Sequence, residues 1–330
     1  MKTLLTGATG FLGSAVLRHL DDDGQNVRVL ARPNGDRRNI SGVKCEIVEG
    51  DLNDPVSLKA AAAGCDALYH VAADYRIWAP DPSELYRTND QGTVALFRAA
   101  AEAGVARIIY TSSVATLGIH SDGTPSNEDT PVSRSDMVGH YKRSKFDAEE
   151  SVKKLIRDDQ LPIVIVNPST PIGPRDVKPT PTGRIILQAA ASRMPAFVDT
   201  GLNIVHVDDV AAGHLLAFRN GEVGERYILG GEDLSLRKIL ADVAKILGRK
   251  PPAISLPRAP LFPLAYLSEF IARLRGGAEP MLTIDGLRMS KKRMYYSSAK
   301  ARDRLHYKTR PATEALRDAV EWFKANGYVK

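Results

Sequence analysis

The chain has 330 residues, 43% of them hydrophobic and 25% charged, enough for a large core in one α/β domain or in two domains and unlike a fibrous or disordered chain. Its 45 Lys and Arg against 39 Asp and Glu give a mild excess of +6 and a pI near 9.2. That excess suits a phosphate-bearing ligand or a weak attraction to anionic lipid. No basic stripe with interleaved aromatics accompanies it, so nucleic acid is not an expected partner.

The first predicted strand, Lys2–Leu5, runs into "TGATGFLG", and a helix is expected over Gly13–Asp22. Gly7, Gly10 and Gly13 stand three apart between a strand and a helix, the context of a dinucleotide-phosphate loop. The first glycine permits the turn, the second lets backbone approach a pyrophosphate, and the third lets helix and strand pack closely. The phosphates then face free N–H groups at the positive end of the helix dipole. The G-x-x-G-x-x-G spacing is a variant with one more residue in the turn.

The second strand is Asn26–Leu30, and Arg32 follows it nineteen residues after Gly13, where an acidic residue would receive the ribose 2′-hydroxyl of NAD. Arg37 and Arg38 lie close behind, and Asp36 is already in the loop. A guanidinium fork pairs with a 2′-phosphate, so NADP is the preferred cofactor over NAD, unless the three arginines form only a solvated basic loop. After a third strand, Cys45–Val48, Asp51 and Leu52 either grip the adenine or start the helix expected over Asp54–Ala63, with Asp51 as its cap.

The fourth strand, Ala67–Val71, includes His70, read as a packed strand residue. Tyr75, Arg76 and Trp78 in the loop beyond it are candidate substrate contacts. Asn89 precedes a helix over Thr93–Ala103 and either fixes a water or backbone group near the site or serves a turn. The fifth strand, Arg107–Thr111, delivers Ser112 and Ser113 at its carboxyl end, where open α/β sheets place ligands. In the helix predicted over Lys142–Arg157, "YKRSK" puts Tyr141 and Lys145 at i and i+4, on one face. A phenol titrates near 10, and a nearby ammonium lowers that value, which makes a proton donor and acceptor for carbonyl–carbinol interconversion.

The sixth strand, Ile163–Val166, leads into "PSTPIGPRDVKPTPTG", a loop with five prolines in sixteen residues. Its Arg175, together with Arg184, is expected to close over the cofactor or hold an anionic substrate group. "IVHVDDVAAGHLLAF" predicts a strand and helix that return to the main sheet, with Asp208 or Asp209 as helix cap rather than His206 and the aspartates as a metal site. Residues 261–274 carry apolar residues at helical spacing, ended by Arg273 and Arg275. They form either a core or dimer-interface helix, or a lip that touches a bilayer.

Alternating strands and helices imply a doubly wound parallel α/β sheet of the Rossmann kind with a smaller C-terminal substrate lobe. Residues 1–168 and 203–222 are assigned to the nucleotide domain, and 169–202 and 223–330 to the lobe. The only cysteines, Cys45 and Cys65, have no ligand-type neighbours, so no metal site or disulfide framework is expected. With no signal-peptide pattern and no transmembrane segment predicted, a cytoplasmic protein is expected, with membrane association through residues 260–275 as the exception.

"TGATGFLG", "GDLND", "HVAA", Asn89 with Gly92-Thr93, "TSSVATLG" and "YKRSK" occur in an order that resembles the extended short-chain dehydrogenase/reductase superfamily, in its NAD-dependent epimerase/dehydratase form. "NPSTPIGPRD" and "HVDDVA" extend the likeness into the second half, closest to a branch of hopanoid-associated sugar epimerases and dihydroflavonol-4-reductase-like proteins. The resemblance implies Tyr141 as acid/base, Lys145 as its electrostatic partner, Ser113 as donor to the substrate oxygen and Asn89 as a supporting group. It implies cofactor contacts at Gly7, Thr9, Gly10, Phe11, Leu12, Gly13, Arg32, Asp51, Leu52, Ala72, Ala73, Tyr141, Lys145, Pro168 and Ser169. It also implies a homodimer, and a small-molecule substrate, sugar-like or a lipid-linked polyol, in hopanoid biosynthesis. Arg32 favours NADPH and hence net reduction. The alternatives are a nucleotide-sugar epimerase with no net redox change, and a dinucleotide-binding regulator without catalysis.

Overall fold

The computed structural model describes every residue except 80, 275–279, 281 and 330. Strand β1 (Lys2–Thr6) leads to helix α1 (Phe11–Asp22), then β2 (Asn26–Ala31), β3 (Glu46–Glu49), α2 (Pro55–Ala62) and β4 (Ala67–His70). A short helix, α3 (Ser83–Tyr86), runs through a π-helical stretch at Arg87–Gln91 into α4 (Gly92–Glu102). There follow β5 (Arg107–Thr111), α5 (Gly139–Asp158), β6 (Ile163–Pro168), β7 (Thr170–Ile172) and α6 (Pro181–Ala190). The remainder is β8 (Ala196–Phe197), β9 (Gly201–His206), α7 (Val207–Asn220), β10 (Arg226–Leu229), β11 (Glu232–Ser235), α8 (Leu236–Ile246), β12 (Ile254–Ser255), α9 (Leu261–Leu274), α10 (Ile284–Met289), β13 (Arg293–Met294), α11 (Ala299–Leu305) and α12 (Ala312–Ala325).

Seven parallel strands form the main sheet in the order β10-β6-β5-β4-β1-β2-β3. Its central strands are buried along nearly their whole length, which is why they read as unbroken apolar runs rather than alternating ones. One core lies between the sheet and α1, α7 and α11, and a second between the sheet and α2, α4 and α5. The chain reverses its winding between β1 and β4, the place where such sheets open a ligand crevice.

A smaller sheet, β11-β9-β13 with β7 also paired to β9, packs with α6, α8 and α12 around a third core. Two strands exchange places relative to the sequence expectation. β9, expected in the main sheet, belongs to this smaller one, and β10, expected in the lobe, is the edge strand of the main sheet beside β6. Both are short apolar runs, and periodicity carries no information about which sheet a run joins. The α7 cap also differs: His206 Nδ1 accepts from Asp208 N–H at 3.0 Å, while Asp208 pairs with Arg175 and Asp209 with Arg310. Both aspartates are engaged by arginines, so the ring nitrogen takes the capping role.

The glycine loop is set by two close approaches. Gly7 has φ +79°, and a Cβ there would lie 2.5 Å from Ala72 N, against the loop that leaves β4. A Cβ on Gly13 would lie 2.0 Å from the Gly7 carbonyl oxygen. Gly13→Ala therefore forces α1 away from β1. Its expected cost is about 1–3 kcal/mol in urea denaturation, with weakened dinucleotide binding by fluorescence titration; unchanged values in both would show that this contact does not hold the loop.

Candidate active site

Gly10 N-caps α1 with no side-chain bond to the helix, while its own N–H donates to Gly7 O at 2.9 Å. The first-turn amides of Phe11, Leu12 and Gly13 are left without helical acceptors, as at any helix start. Thr9 O accepts from Asn39 Nδ2 at 3.2 Å, which ties the glycine loop to the segment after β2. Thr6 Oγ1 accepts from Ala72 N at 3.3 Å, which ties it to Ala72 and Ala73 after β4. The loops of β1, β2 and β4 thus form one cradle.

Arg32 stands exposed immediately beyond β2 and makes no side-chain hydrogen bond or ion pair among the described residues. The other two arginines are engaged: Arg37 pairs with Glu49 at 2.5 Å and Arg38 with Asp36 at 2.7 Å. The Arg38 hydrogen bonds hold the Asp36 carboxyl down to about 2. Asp51 does not cap α2. Asp54 does, accepting from Val56 N–H at 3.1 Å, and Asp51 Oδ1 instead accepts from Asn53 N–H at 2.9 Å. Leu52 is buried against Gly92 at the start of α4.

At the far side of the crevice, Pro168 ends β6, and Ser169 donates its N–H to Leu229 O at 3.1 Å. The Ser169 Oγ is buried without a hydrogen-bond partner. Free helix-start amides, an unengaged guanidinium at the end of β2 and an orphaned hydroxyl at the end of β6 are the features that a phosphorylated dinucleotide would satisfy. The residues present fit the group.

Tyr141 and Lys145 lie on α5, whose first turn faces the loop after β5. Burial pushes the Tyr141 phenol above its ordinary value, and a side-chain hydrogen bond with Ser113 works the other way. Ser113 N-caps the short helical turn Val114–Thr116 and accepts from Ala115 N–H at 3.1 Å. Lys145 is buried. Its Nζ donates to Thr111 O at 3.0 Å and to the Tyr110 hydroxyl at 3.4 Å, and lies 5.0 Å from the Tyr110 ring centre. Burial brings its pKa down to about 8, partly opposed by Glu149. The expectation of an ammonium-lowered phenol is corrected here: Lys145 spends its hydrogen bonds on Thr111 and Tyr110, and burial dominates at Tyr141.

Asn89 sits in the π-helical stretch. Its Oδ1 accepts from Asp74 N–H at 2.7 Å, and its Nδ2 donates to Asp74 O at 2.8 Å and to Ser144 Oγ at 3.0 Å. It therefore clamps the loop after β4 to α5. In that loop Arg76 is engaged by Asp74 and Glu84 and Trp78 is buried, while Tyr75 presents an exposed face. Arg175 is likewise engaged by Asp208. His70 bonds Thr6 Oγ1 at 2.7 Å and Thr93 Oγ1 at 2.9 Å, and burial drives it down to about 3, so it is a neutral packing residue.

One residue was not singled out from the sequence. Glu149, one turn beyond Lys145, is buried and accepts from Ser112 Oγ at 2.5 Å, Thr116 Oγ1 at 2.7 Å and Asn167 Nδ2 at 2.9 Å. It pairs with Arg226 at 2.9 Å and Lys153 at 3.2 Å. Burial raises its pKa, but Lys153, Ser112 and Arg226 outweigh that and hold it ionised. The signal was a carboxylate continuing the i, i+4 series of Tyr141 and Lys145. Ser112 is spent on this carboxylate, which leaves Ser113 as the serine facing Tyr141.

Fold and site together define a dinucleotide-dependent enzyme of the oxidoreductase and epimerase kind. The chain belongs to the NAD dependent epimerase/dehydratase family, which it matches over residues 3–230. It is 44% identical over 333 residues to a Synechocystis sp. protein provisionally named as a dihydroflavonol 4-reductase, covering 99% of this chain and 95% of that one. It is 34% identical over 331 residues to sterol demethylase protein B of Methylococcus capsulatus, covering the whole of both. Among solved structures, that of gox2253 superposes with a TM-score of 0.89 at 54% identity and 99% coverage of each chain.

Removing the Glu149 charge leaves the buried Ser112, Thr116 and Asn167 donors on a neutral group, while half-buried Arg226 keeps only the Glu128 carbonyl. Glu149→Gln should lose about 1–3 kcal/mol by chemical denaturation, with Glu149→Asp recovering part of it. Stability unchanged in Glu149→Gln would show that the network is not held by charge.

Proposed function

We propose an NADP(H)-dependent oxidoreductase that interconverts a carbonyl and a secondary alcohol on a sugar-like or lipid-linked polyol. The observation that carries the cofactor choice is the guanidinium of Arg32 at the end of β2, exposed and paired with no carboxylate among the described residues, since Glu49 and Asp36 are taken by Arg37 and Arg38. NADPH, when bound, supplies the hydride. Ser113 donates to the substrate carbonyl oxygen and orients it toward Tyr141. Tyr141 gives its phenolic proton to that oxygen in reduction and takes it back in oxidation. Lys145, as ammonium on the same helix face, keeps one N–H beyond those given to Thr111 and Tyr110 for negative charge that develops at the reacting oxygens. Asn89 holds the loop after β4 against α5. The lipid side of the proposal rests on the sterol demethylase relative, the link to hopanoids on the resemblance seen in the motifs. A homodimer formed through helices of the nucleotide domain belongs to the same proposal, with sedimentation equilibrium as its check.

Purified protein should oxidise NADPH at 340 nm in the presence of a suitable ketone. Tightly held NAD with epimer exchange and no net turnover would replace reduction by epimerisation. Arg32→Asp should cut the preference for NADPH over NADH in kcat/KM by roughly 10- to 100-fold, the worth of a hydrogen bond to a charged group; an unchanged ratio would remove Arg32 from phosphate recognition.

The lowered Lys145 pKa sets the pH dependence. The ammonium is the active form, so kcat/KM should fall as pH rises through about 8. Lys145→Arg should move that fall to higher pH. A flat profile in the wild-type enzyme up to pH 9.5, roughly one and a half units beyond the midpoint, would show that the charge on Lys145 is not required.

A further inference from the structure

α9 is built the wrong way round for a helix of a water-soluble surface. It buries its alanines, Ala265 and Ala272, and turns its large apolar side chains outward. Leu264, Tyr266, Leu267, Phe270 and Leu274 are each more than half exposed, and Ile271 is exposed beside them. A surface helix ordinarily does the reverse. The patch runs from Leu264 to Leu274, about 16 Å along the helix, and is contiguous rather than scattered.

The segment that carries it is one-sided in charge. The only acidic residue of α9, Glu269, is turned inward and accepts from Ile284 N–H of α10 at 2.8 Å. The described residues between 256 and 294 carry six Lys and Arg against two Asp and Glu, four of the six net positive charges of the whole chain. Lys291 lies 5.7 Å from the Phe262 ring centre, so cationic and apolar groups meet at the edge of the patch. Arg275, which also closes this run in sequence, lies outside the described residues.

The patch is also tied to the catalytic helix. α9 packs on α10, and the Asp285 carboxylate of α10 lies against Gly139, where α5 begins, two residues before Tyr141. An element that touches a lipid surface through α9 thus stands one helix away from the acid/base tyrosine.

We infer that the outward face of α9 is a docking surface for an anionic lipid bilayer, on which the helix lies in the interfacial plane while its substrate is taken up. A second copy of the chain fits less well. Symmetric pairing through α9 would bring two copies of a net cationic segment, with Lys291 at its edge, face to face, whereas anionic headgroups complement it. The inference deepens the lipid-substrate reading above and rests on it for the purpose of docking, not for the docking itself.

The test is co-sedimentation of the full chain with vesicles of phosphatidylcholine, and with vesicles of phosphatidylcholine mixed with phosphatidylglycerol, at low and high salt. Association with the anionic vesicles, weakened by salt and weaker on phosphatidylcholine alone, is expected. The double variant Leu267→Glu/Phe270→Glu should lower the bound fraction at least about tenfold, since two buried apolar side chains are lost. Its melting temperature and NADPH affinity should stay those of the wild type. No association with either vesicle, or a dimer in sedimentation equilibrium that the double variant splits, would overturn the inference. Vesicle binding without any carbonyl turnover would instead count against the proposed reaction and leave the docking surface standing.

Discussion

Glu149 accepts hydrogen bonds from the loop after β5 and from β6, and pairs with Arg226 of β10, while sitting on the same helix face as Tyr141 and Lys145. One carboxylate therefore fixes how α5 lies against three strand ends. A buried ionised group is costly unless all its lone pairs are filled, and here three donors and two cations fill them. That requirement makes the arrangement stiff: moving α5 by a fraction of its hydrogen-bond lengths would expose an uncompensated charge. Ser112 is held by this carboxylate, and Asn167 binds both Glu149 and the Ser113 carbonyl, at 3.0 Å for the latter.

The cofactor cradle obeys a steric rule in place of an electrostatic one. Gly7 and Gly13 touch backbone where a side chain would intrude, and this brings the loops of β1 and β4 together at the point where the sheet reverses direction. The two constraints meet at Asn89. Its π-helical turn aims the amide at the loop beyond β4 on one side and at Ser144 of α5 on the other. π-helical insertions of this kind are rare, and they are frequent at functional sites.

The parallel sheet and its order of strands and helices were legible because buried strands leave continuous apolar runs and the glycine loop has a steric signature. The i, i+4 placement of Tyr141 and Lys145 follows from helix geometry alone. What stayed hidden depends on contacts between distant segments. Arg32, Arg37 and Arg38 look alike in sequence, and only the folded chain shows that Glu49 and Asp36 consume two of them. Asp51 and Asp54 are both plausible caps by type, and the start of α2 at Pro55 selects Asp54. β9 and β10 are similar apolar runs whose sheet membership is a matter of topology. The helix ahead of Thr93 was missed because its π turn breaks the 3.6-residue period.

The state of Tyr141 bears on the direction of reaction. A phenol raised by burial is fully protonated at neutral pH, so the resting site holds a proton ready for a carbonyl oxygen rather than a base ready for an alcohol. For oxidation the phenolate has to be made first, and the ammonium that would stabilise it is itself close to losing its proton, having been brought down to about 8. Burial works on both groups in the same sense, favouring neutral phenol and neutral amine over the ion pair. A site with this bias rests with its proton on the phenol, so the cost of burial, and not a charged partner, sets the state from which catalysis starts.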